Sequence, residues 1–244
     1  TEAISEVGGY SVTLNGTRAY LLQTGEKALV WVKLIAHGTA SHGSHVMRNN
    51  AITKLAEAVA TIGRREWPVR LTDTTTELLG ELARILEVDP QKVGPDEIAL
   101  ATGTTSRFIQ ASLRTTTNPT ALTAGYKHNV IPDTAEALID IRTLPGEEDT
   151  VLAELAELVG PDIEIVVLHR DIGLETAFSG PYMLSGGTDN KALSLLGIKG
   201  YGFAPLKLPP ELDFPAMFHG VDERVPLDAL VFGRRVLGDL LLNY

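Results

Sequence analysis

The stretch that decides the fold runs over residues 25–44, GEKALVWVKLIAHGTASHGS. Residues 28–37 form a nearly continuous apolar run with Val30, Trp31, Val32, Leu34 and Ile35, the pattern of a strand buried in a sheet. A polar, glycine-bearing loop follows over 38–48. Apolar residues then recur at Ile52, Leu55, Val59 and Ile62, a spacing that predicts a helix with Asn49 or Asn50 as its N-cap. Further along, alternation over 107–117 predicts a strand. Residues 135–144 predict another, with Ala137, Ile139 and Ile141 on one side. Residues 147–159 predict a helix with acids in its first turn and Val151, Leu152, Leu155 and Val159 on one face. Residues 163–168 predict a last strand. The order is β-α-β-β-α-β, the split ferredoxin-like pattern of two helices on one face of a four-stranded antiparallel sheet.

Outside this block, Asn15-Gly16 between two β-prone runs predicts a two-residue hairpin over 10–22. Residues 66–106 carry Pro68, Pro90, Gly94 and Pro95 and are expected to be a peripheral insertion with one helix, about 77–86. After residue 175 the chain changes character. A loop over 182–190 leads into a helix ending near Leu196, followed by a short strand over 198–203 and a proline-rich irregular stretch over 206–215. An amphipathic helix over 227–242 closes the chain after Pro226. This resembles the end of an α/β domain. Its sheet needs more strands than the chain supplies after residue 175, and the hairpin is one source of them.

The 244 residues are 44% apolar, enough for one large core or two modest ones. The formal charge of -10 argues against nucleic acid as a partner, because an acidic surface repels phosphate backbones. No run reaches a membrane span's length, and no secretory signal stands at the start, so a cytoplasmic, membrane-free protein is expected. With no cysteine, any metal must be held by His, Asp and Glu.

Several polar residues are candidates for chemistry, each with a plain alternative. His219 in FHGVDER has the donor type of a metal ligand, with Asp222 or Glu223 to fix its tautomer. Taken alone, a loop histidine beside acids is more often a solvated or hydrogen-bonded residue, the acids complementing a helix N-terminus. Glu6, before Gly8-Gly9, is either a carboxylate facing a cleft or an exposed strand-end acid. His42 in GTASHGSH is either an exposed loop histidine or a donor to a substrate oxygen. Asn129 and Arg142 stand at the edges of the small sheet, and Arg142 suits either a surface salt bridge or a bidentate grip on a carboxylate. Gly187 and Thr188 precede a helix, where backbone N–H groups suit an anion, although Thr188 or Asp189 as a simple cap explains the same residues. The fingerprints of nucleotide-binding loops are absent.

Taken in order, EVGG, GEKALVWVKLIAHGTASHGS, RNNAI, NPT, KHNVIP, DIRTLPGE, SGGTDN and HGVDERV resemble the zinc amidohydrolases and exopeptidases related to acetylornithine deacetylase, succinyl-diaminopimelate desuccinylase, aminoacylase-1 and glutamate carboxypeptidase. The resemblance covers nearly the whole chain. It implies an α/β fold: a partial zinc-exopeptidase-like catalytic domain over 1–26 and 172–244, with an inserted ferredoxin-like βαββαβ lid or dimerisation domain over 27–171. It implies Glu6 and His219 as metal ligands and two zincs per active site, with cobalt or manganese as substitutes. His42 becomes the lid histidine that polarises the scissile carbonyl across a homodimer. Asn129, Arg142, Gly187 and Thr188 become substrate contacts, and Asp140, Pro132 and Pro145 structural residues. The implied activity is hydrolysis of N-acyl amino acids or small peptides with a free carboxylate. The family also has an earlier segment that bears a His-x-Asp motif, a bridging aspartate and a Glu-Glu pair, together with a helix near residues 179–182. Neither occurs in this sequence, so a longer protein is expected. The alternatives are a non-catalytic dimerising or ligand-binding module and, less economically, a ferredoxin-like regulatory domain unrelated to zinc.

Overall fold

The computed structural model describes residues 1–176 and 181–243. The strands are β1 (Glu2–Ser5), β2 (Ser11–Leu14), β3 (Thr17–Tyr20), β4 (Leu22–Glu26), β5 (Ala28–His37), β6 (Ser41–His42), β7 (Thr116–Ala124), β8 (Val130–Ile131), β9 (Thr134–Thr143), β10 (Ile163–Arg170), β11 (Leu174–Glu175), β12 (Pro181–Leu184) and β13 (Lys199–Gly202). The helices are α1 (Ala51–Gly63), α2 (Asp73–Leu86), α3 (Pro95–Ala101), α4 (Ser106–Ser112), α5 (Glu148–Val159), α6 (Asn190–Ser194) and α7 (Leu227–Asn243). The chain divides into two compact units, one of residues 1–27, 69–114 and 174–243, the other of residues 28–68 and 115–173.

The second unit is the split βαββαβ arrangement. Its sheet runs β10-β5-β9-β7, antiparallel throughout. Alternate residues of β5 (Val30, Val32, Leu34, Ala36) and β9 (Ala135, Ala137, Ile139, Ile141) turn to one face. There they pack against Leu55, Ala58 and Ile62 of α1 and Val151 and Leu155 of α5. Helix α1 starts where Asn50 Oδ1 accepts the backbone N–H of Ile52 at 2.9 Å. Asn50→Ala leaves that donor to solvent and is expected to cost about 1 kcal/mol, visible as a lowered urea midpoint; an unchanged midpoint would show that the cap contributes nothing.

In the first unit, β1 and β13 are parallel, β4 pairs β13 and β11 antiparallel, and β12 joins β4 in parallel, giving a five-stranded sheet. The hairpin β2-β3 forms where expected, with Asn15 at φ +47° and Gly16 at φ +74°, the left-handed pair that a two-residue turn requires. It makes a separate two-stranded sheet and adds nothing to the five-stranded one. Tyr10, Leu14, Leu78, Leu82, Ile98, Ile109, Leu113 and Tyr182 form the core of this unit. Burial raises the Tyr10 and Tyr182 phenols far above their ordinary range.

Three expectations are corrected. The strand expected over 107–117 is helix α4 followed by β7, which begins at Thr116. Ile109, Ser112 and Leu113 are buried together, a helical spacing that the alternation obscured. The insertion over 66–106 holds two α-helices, α2 and α3, rather than one, and it clusters with the chain's terminal segments rather than with the small sheet. Helix α3 was announced by Gly94-Pro95, with Glu97 Oε2 accepting the Gly94 N–H at 2.9 Å. The stretch near 179–182, where a family helix is expected to be missing, lies outside the described residues up to 180; from Pro181 the chain is β12, so residues 182–184, expected as the start of a loop, are strand. Among the described residues, no helix is long and apolar enough to cross a membrane.

Candidate functional site

In the first unit, Glu6 follows β1 and is exposed. Because β1 and β13 are parallel, it stands at their carboxyl end, the side on which open α/β sheets bind ligands. The chain then turns through Gly8 (φ +92°) and Gly9 (φ +71°), where a Cβ would lie 2.7 Å from Gly202 O and 2.6 Å from the Phe203 ring respectively. The glycine pair of EVGG is therefore required by backbone geometry.

His219 lies in a turn at φ +57° and is exposed. Its backbone N–H donates to Glu223 Oε2 at 3.2 Å, and Asp222 gives its carbonyl to Arg224 at 3.0 Å. Neither acid bonds the imidazole, so the tautomer-fixing role expected of them is absent from the observed geometry. Among the described residues, no three or more His, Cys, Asp or Glu side chains come together as a metal cage.

Thr188 lies between β12 and α6. Its backbone N–H donates to Glu26 Oε2 at 3.0 Å and its hydroxyl donates to Glu26 Oε1. The same hydroxyl accepts the Asn190 N–H at 3.2 Å. Glu26 is 1% exposed and also accepts from Gln23 Nε2 at 2.8 Å. The anion held by this loop is thus the chain's own carboxylate. Glu26 escaped the sequence analysis, although a Glu-Lys pair opening an apolar strand was a signal. The neighbouring Lys27, wholly buried, donates to the Ala111 carbonyl at 2.7 Å. Gly187 is exposed, and a Cβ there would meet Lys191 Nζ at 3.3 Å. A cavity of about 230 Å³ opens beside Gln23, Glu26, Glu175, Asn190 and Lys199.

In the second unit, the GTASHGSH loop is tied to the KHNVIP loop. Ser41 pairs with Ile131 and His42 with Val130, and the Gly43 N–H donates to the Asn129 carbonyl at 2.9 Å. His42 Nδ1 is 2.8 Å from Ser44 Oγ and 3.3 Å from the Ser44 backbone N–H. His42 Nε2 is 3.3 Å from Asn129 Nδ2. The structure thus brings His42 and Asn129 together in the open, as both are exposed. Arg142 lies on the sheet face away from the helices. Its Nε and Nη2 grip Asp140 at 2.6 and 2.9 Å, and Asp140 also accepts from Trp31 Nε1 at 3.1 Å. Arg142 therefore holds a carboxylate bidentately, and that carboxylate belongs to Asp140.

The profile of the peptidase dimerisation domain of the M20 family matches residues 24–164, more than half of the chain. The human protein N-fatty-acyl-amino acid synthase/hydrolase PM20D1 is 25% identical over 256 residues, covering 91% of this chain and 50% of its own. The chain spans about half the length of the curated relatives it matches. Among solved structures, the dipeptidase Dug1p of Saccharomyces cerevisiae superposes with a TM-score of 0.57 at 11% identity, over 96% of this chain and 55% of that one. A tripeptidase of Staphylococcus aureus gives 0.53 at 14%, over 93% and 51%. These two likenesses concern the fold. The chain belongs to the M20 family of metallopeptidases and carries its peptidase dimerisation domain.

Proposed function

We propose that the complete protein is a metal-dependent hydrolase that cleaves amide or peptide bonds of N-acyl amino acids or small peptides with a free carboxylate, using two zinc ions per active site. The observation that carries this reading is the exposed His42–Asn129 pair, set on a domain of a metallopeptidase family. The human relative is named an N-fatty-acyl-amino acid synthase/hydrolase, which supports the substrate class. In this reading His42 donates a hydrogen bond to the scissile carbonyl oxygen, where charge develops in the transition state. Asn129, Arg142, Gly187 and Thr188 orient the carboxylate-bearing part of the substrate.

Glu6 and His219 are donors of the right kind for zinc, cobalt or manganese. A catalytic zinc takes three protein ligands, and the described residues offer no group of three. Glu6 and His219 do not by themselves fit the metal. A homodimer formed through the dimerisation domain and a cytoplasmic location belong to the same proposal. The domain's family supports the first and the cysteine-free composition the second.

The test is an amide-hydrolysis assay of the complete protein on N-acyl amino acids and dipeptides before and after chelation. Activity is expected to fall to background and to return with zinc or cobalt. Turnover that survives thorough metal removal would overturn the reading. Light scattering is expected to give twice the protomer mass; a monomer would remove a role for His42 in a partner's site.

A specific observation favours a second reading, a non-catalytic ligand-binding module: among the described residues no three His, Asp or Glu side chains come together to hold a metal. Thr188 and Arg142 already hold carboxylates of the chain, those of Glu26 and Asp140, so a ligand's carboxylate would bind there by displacing one of them. Saturable binding of an N-acetyl amino acid, with no turnover in the metal-loaded complete protein, would favour this module over the hydrolase.

A further inference from the structure

We propose that Ser44 is a positioning residue that fixes His42 in its Nε2–H tautomer, so that His42 and Asn129 present two donors to one acceptor oxygen of a ligand. That this oxygen is the scissile carbonyl rests on the hydrolase reading above; the tautomer does not.

The Ser44 backbone N–H has a fixed role in the cluster. A backbone N–H can donate and cannot accept. The Ser44 N–H points at His42 Nδ1 from 3.3 Å, so Nδ1 must offer its lone pair. The Ser44 hydroxyl, 2.8 Å from the same nitrogen, then donates as well. A neutral imidazole with an unprotonated Nδ1 carries its hydrogen on Nε2. Ser44 therefore supplies to His42 what a carboxylate or carbonyl supplies to a metal-bound histidine, with the opposite sign: donors rather than an acceptor, and so the opposite tautomer.

The consequence lies on the other side of the ring. Nε2 is 3.3 Å from Asn129 Nδ2. With a hydrogen on Nε2 both atoms are donors, and two donors do not bond each other. They are complementary to one oxygen lying against both, as paired donors are in an oxyanion hole. Turning the Asn129 amide over would instead let its Oδ1 accept from Nε2–H, and that arrangement needs the same tautomer. The competing arrangement, with Asn129 Nδ2 donating to an unprotonated Nε2 and Nδ1–H donating to Ser44 Oγ, strips the Ser44 backbone N–H of its acceptor, and the tautomer measurement below decides between the two.

The frame around the pair is built closely. The bridge between β6 and β8 sets His42 opposite Val130, and the Gly43 N–H bonds the Asn129 carbonyl. A Cβ at Gly43 would stand 3.4 Å from the Asn129 backbone. His45, whose ring centroid is 6.0 Å from that of His42, has its Nδ1 engaged by Ser41 Oγ at 2.9 Å and leaves the Ser44 contact to His42. His42, Ser44 and Asn129 are all exposed, so a ligand oxygen can reach the pair without rearrangement of the fold.

Long-range proton–nitrogen NMR on histidine-labelled protein reads the tautomer directly, with His42→Gln to assign the ring. Above the imidazole titration range, wild-type His42 is expected to show an unprotonated Nδ1 and a protonated Nε2. Ser44→Ala removes the hydroxyl, and the Nδ1–H fraction is expected to rise about fivefold, the worth of one ordinary hydrogen bond. Ser44→Thr keeps both donors and should restore the wild-type ratio. A wild-type Nδ1–H tautomer, or a ratio that Ser44→Ala leaves unmoved, overturns the proposal. If the tautomer behaves as expected while His42→Ala leaves kcat of the complete enzyme unchanged, Ser44's role stands and the hydrolase reading of His42 falls.

Discussion

Gly202→Ala is expected to destabilise the first unit by about 3 kcal/mol or more, as overpacking against atoms that cannot retreat does at its upper end. Gly202 ends β13, opposite Ser5 on β1 and Gln23 on β4. A Cβ there would sit 1.7 Å from the Val7 carbonyl oxygen and 1.9 Å from Gln23 Oε1. Gln23 could swing away only by giving up its bond to Glu26. The Val7 carbonyl belongs to the EVGG turn, whose next two residues are held at positive φ against Gly202 and Phe203. Relief therefore requires the turn and two strands to separate. A loss of this size is a large fraction of the ~5–15 kcal/mol that holds an ordinary domain together, so the urea midpoint should drop sharply or the variant should fail to fold. Gly80→Ala is the control. Nothing lies within 4 Å of a Cβ at that position in α2, and alanine there is expected to stabilise by up to about 1 kcal/mol. Equal midpoints for Gly202→Ala and wild type would show that β13 does not approach the turn this closely.

Glu26→Ala is the second large effect. It strips the acceptor from the Thr188 N–H, the Thr188 hydroxyl and Gln23 Nε2 at a site almost closed to water. Unpaired buried donors each cost about 1–3 kcal/mol, and partial rehydration of the half-buried Thr188 reduces the sum. A loss of about 3 kcal/mol is expected. Glu26→Gln keeps the shape but turns an NH₂ toward donors, so it should lose an intermediate amount. The diagnostic reading is local. Amide hydrogen exchange across 185–190 should accelerate in Glu26→Ala, because the loop loses the group that its backbone closes on, whereas exchange in β5 and β9 should be unchanged. Unaltered protection of the Thr188 amide would show that Glu26 does not hold the loop. The result bears on the proposed activity, since this loop carries Gly187 and Thr188.

Elements whose side chains follow one clear period were legible from local pattern. Strand β5, helices α1 and α5, strand β9 and the Asn15-Gly16 hairpin lie within a few residues of where alternation, helical spacing and turn chemistry put them. Each buries one face, so burial writes itself into the spacing of apolar residues. Helix α4 was not legible, because the alternation over 107–117 hides the helical spacing of Ile109, Ser112 and Leu113, and the packing of Phe108 beside Tyr10 and Tyr182 decides the matter. Local sequence also marked His42, Asn129, Arg142 and Thr188 as polar groups in unusual settings. It could not say what they touch. That Thr188 closes on Glu26, 162 residues earlier, and that His42 meets Asn129, 87 residues later, depends on strand pairings between distant segments. A hydrogen bond's partner is a property of three-dimensional position, and no local period encodes it.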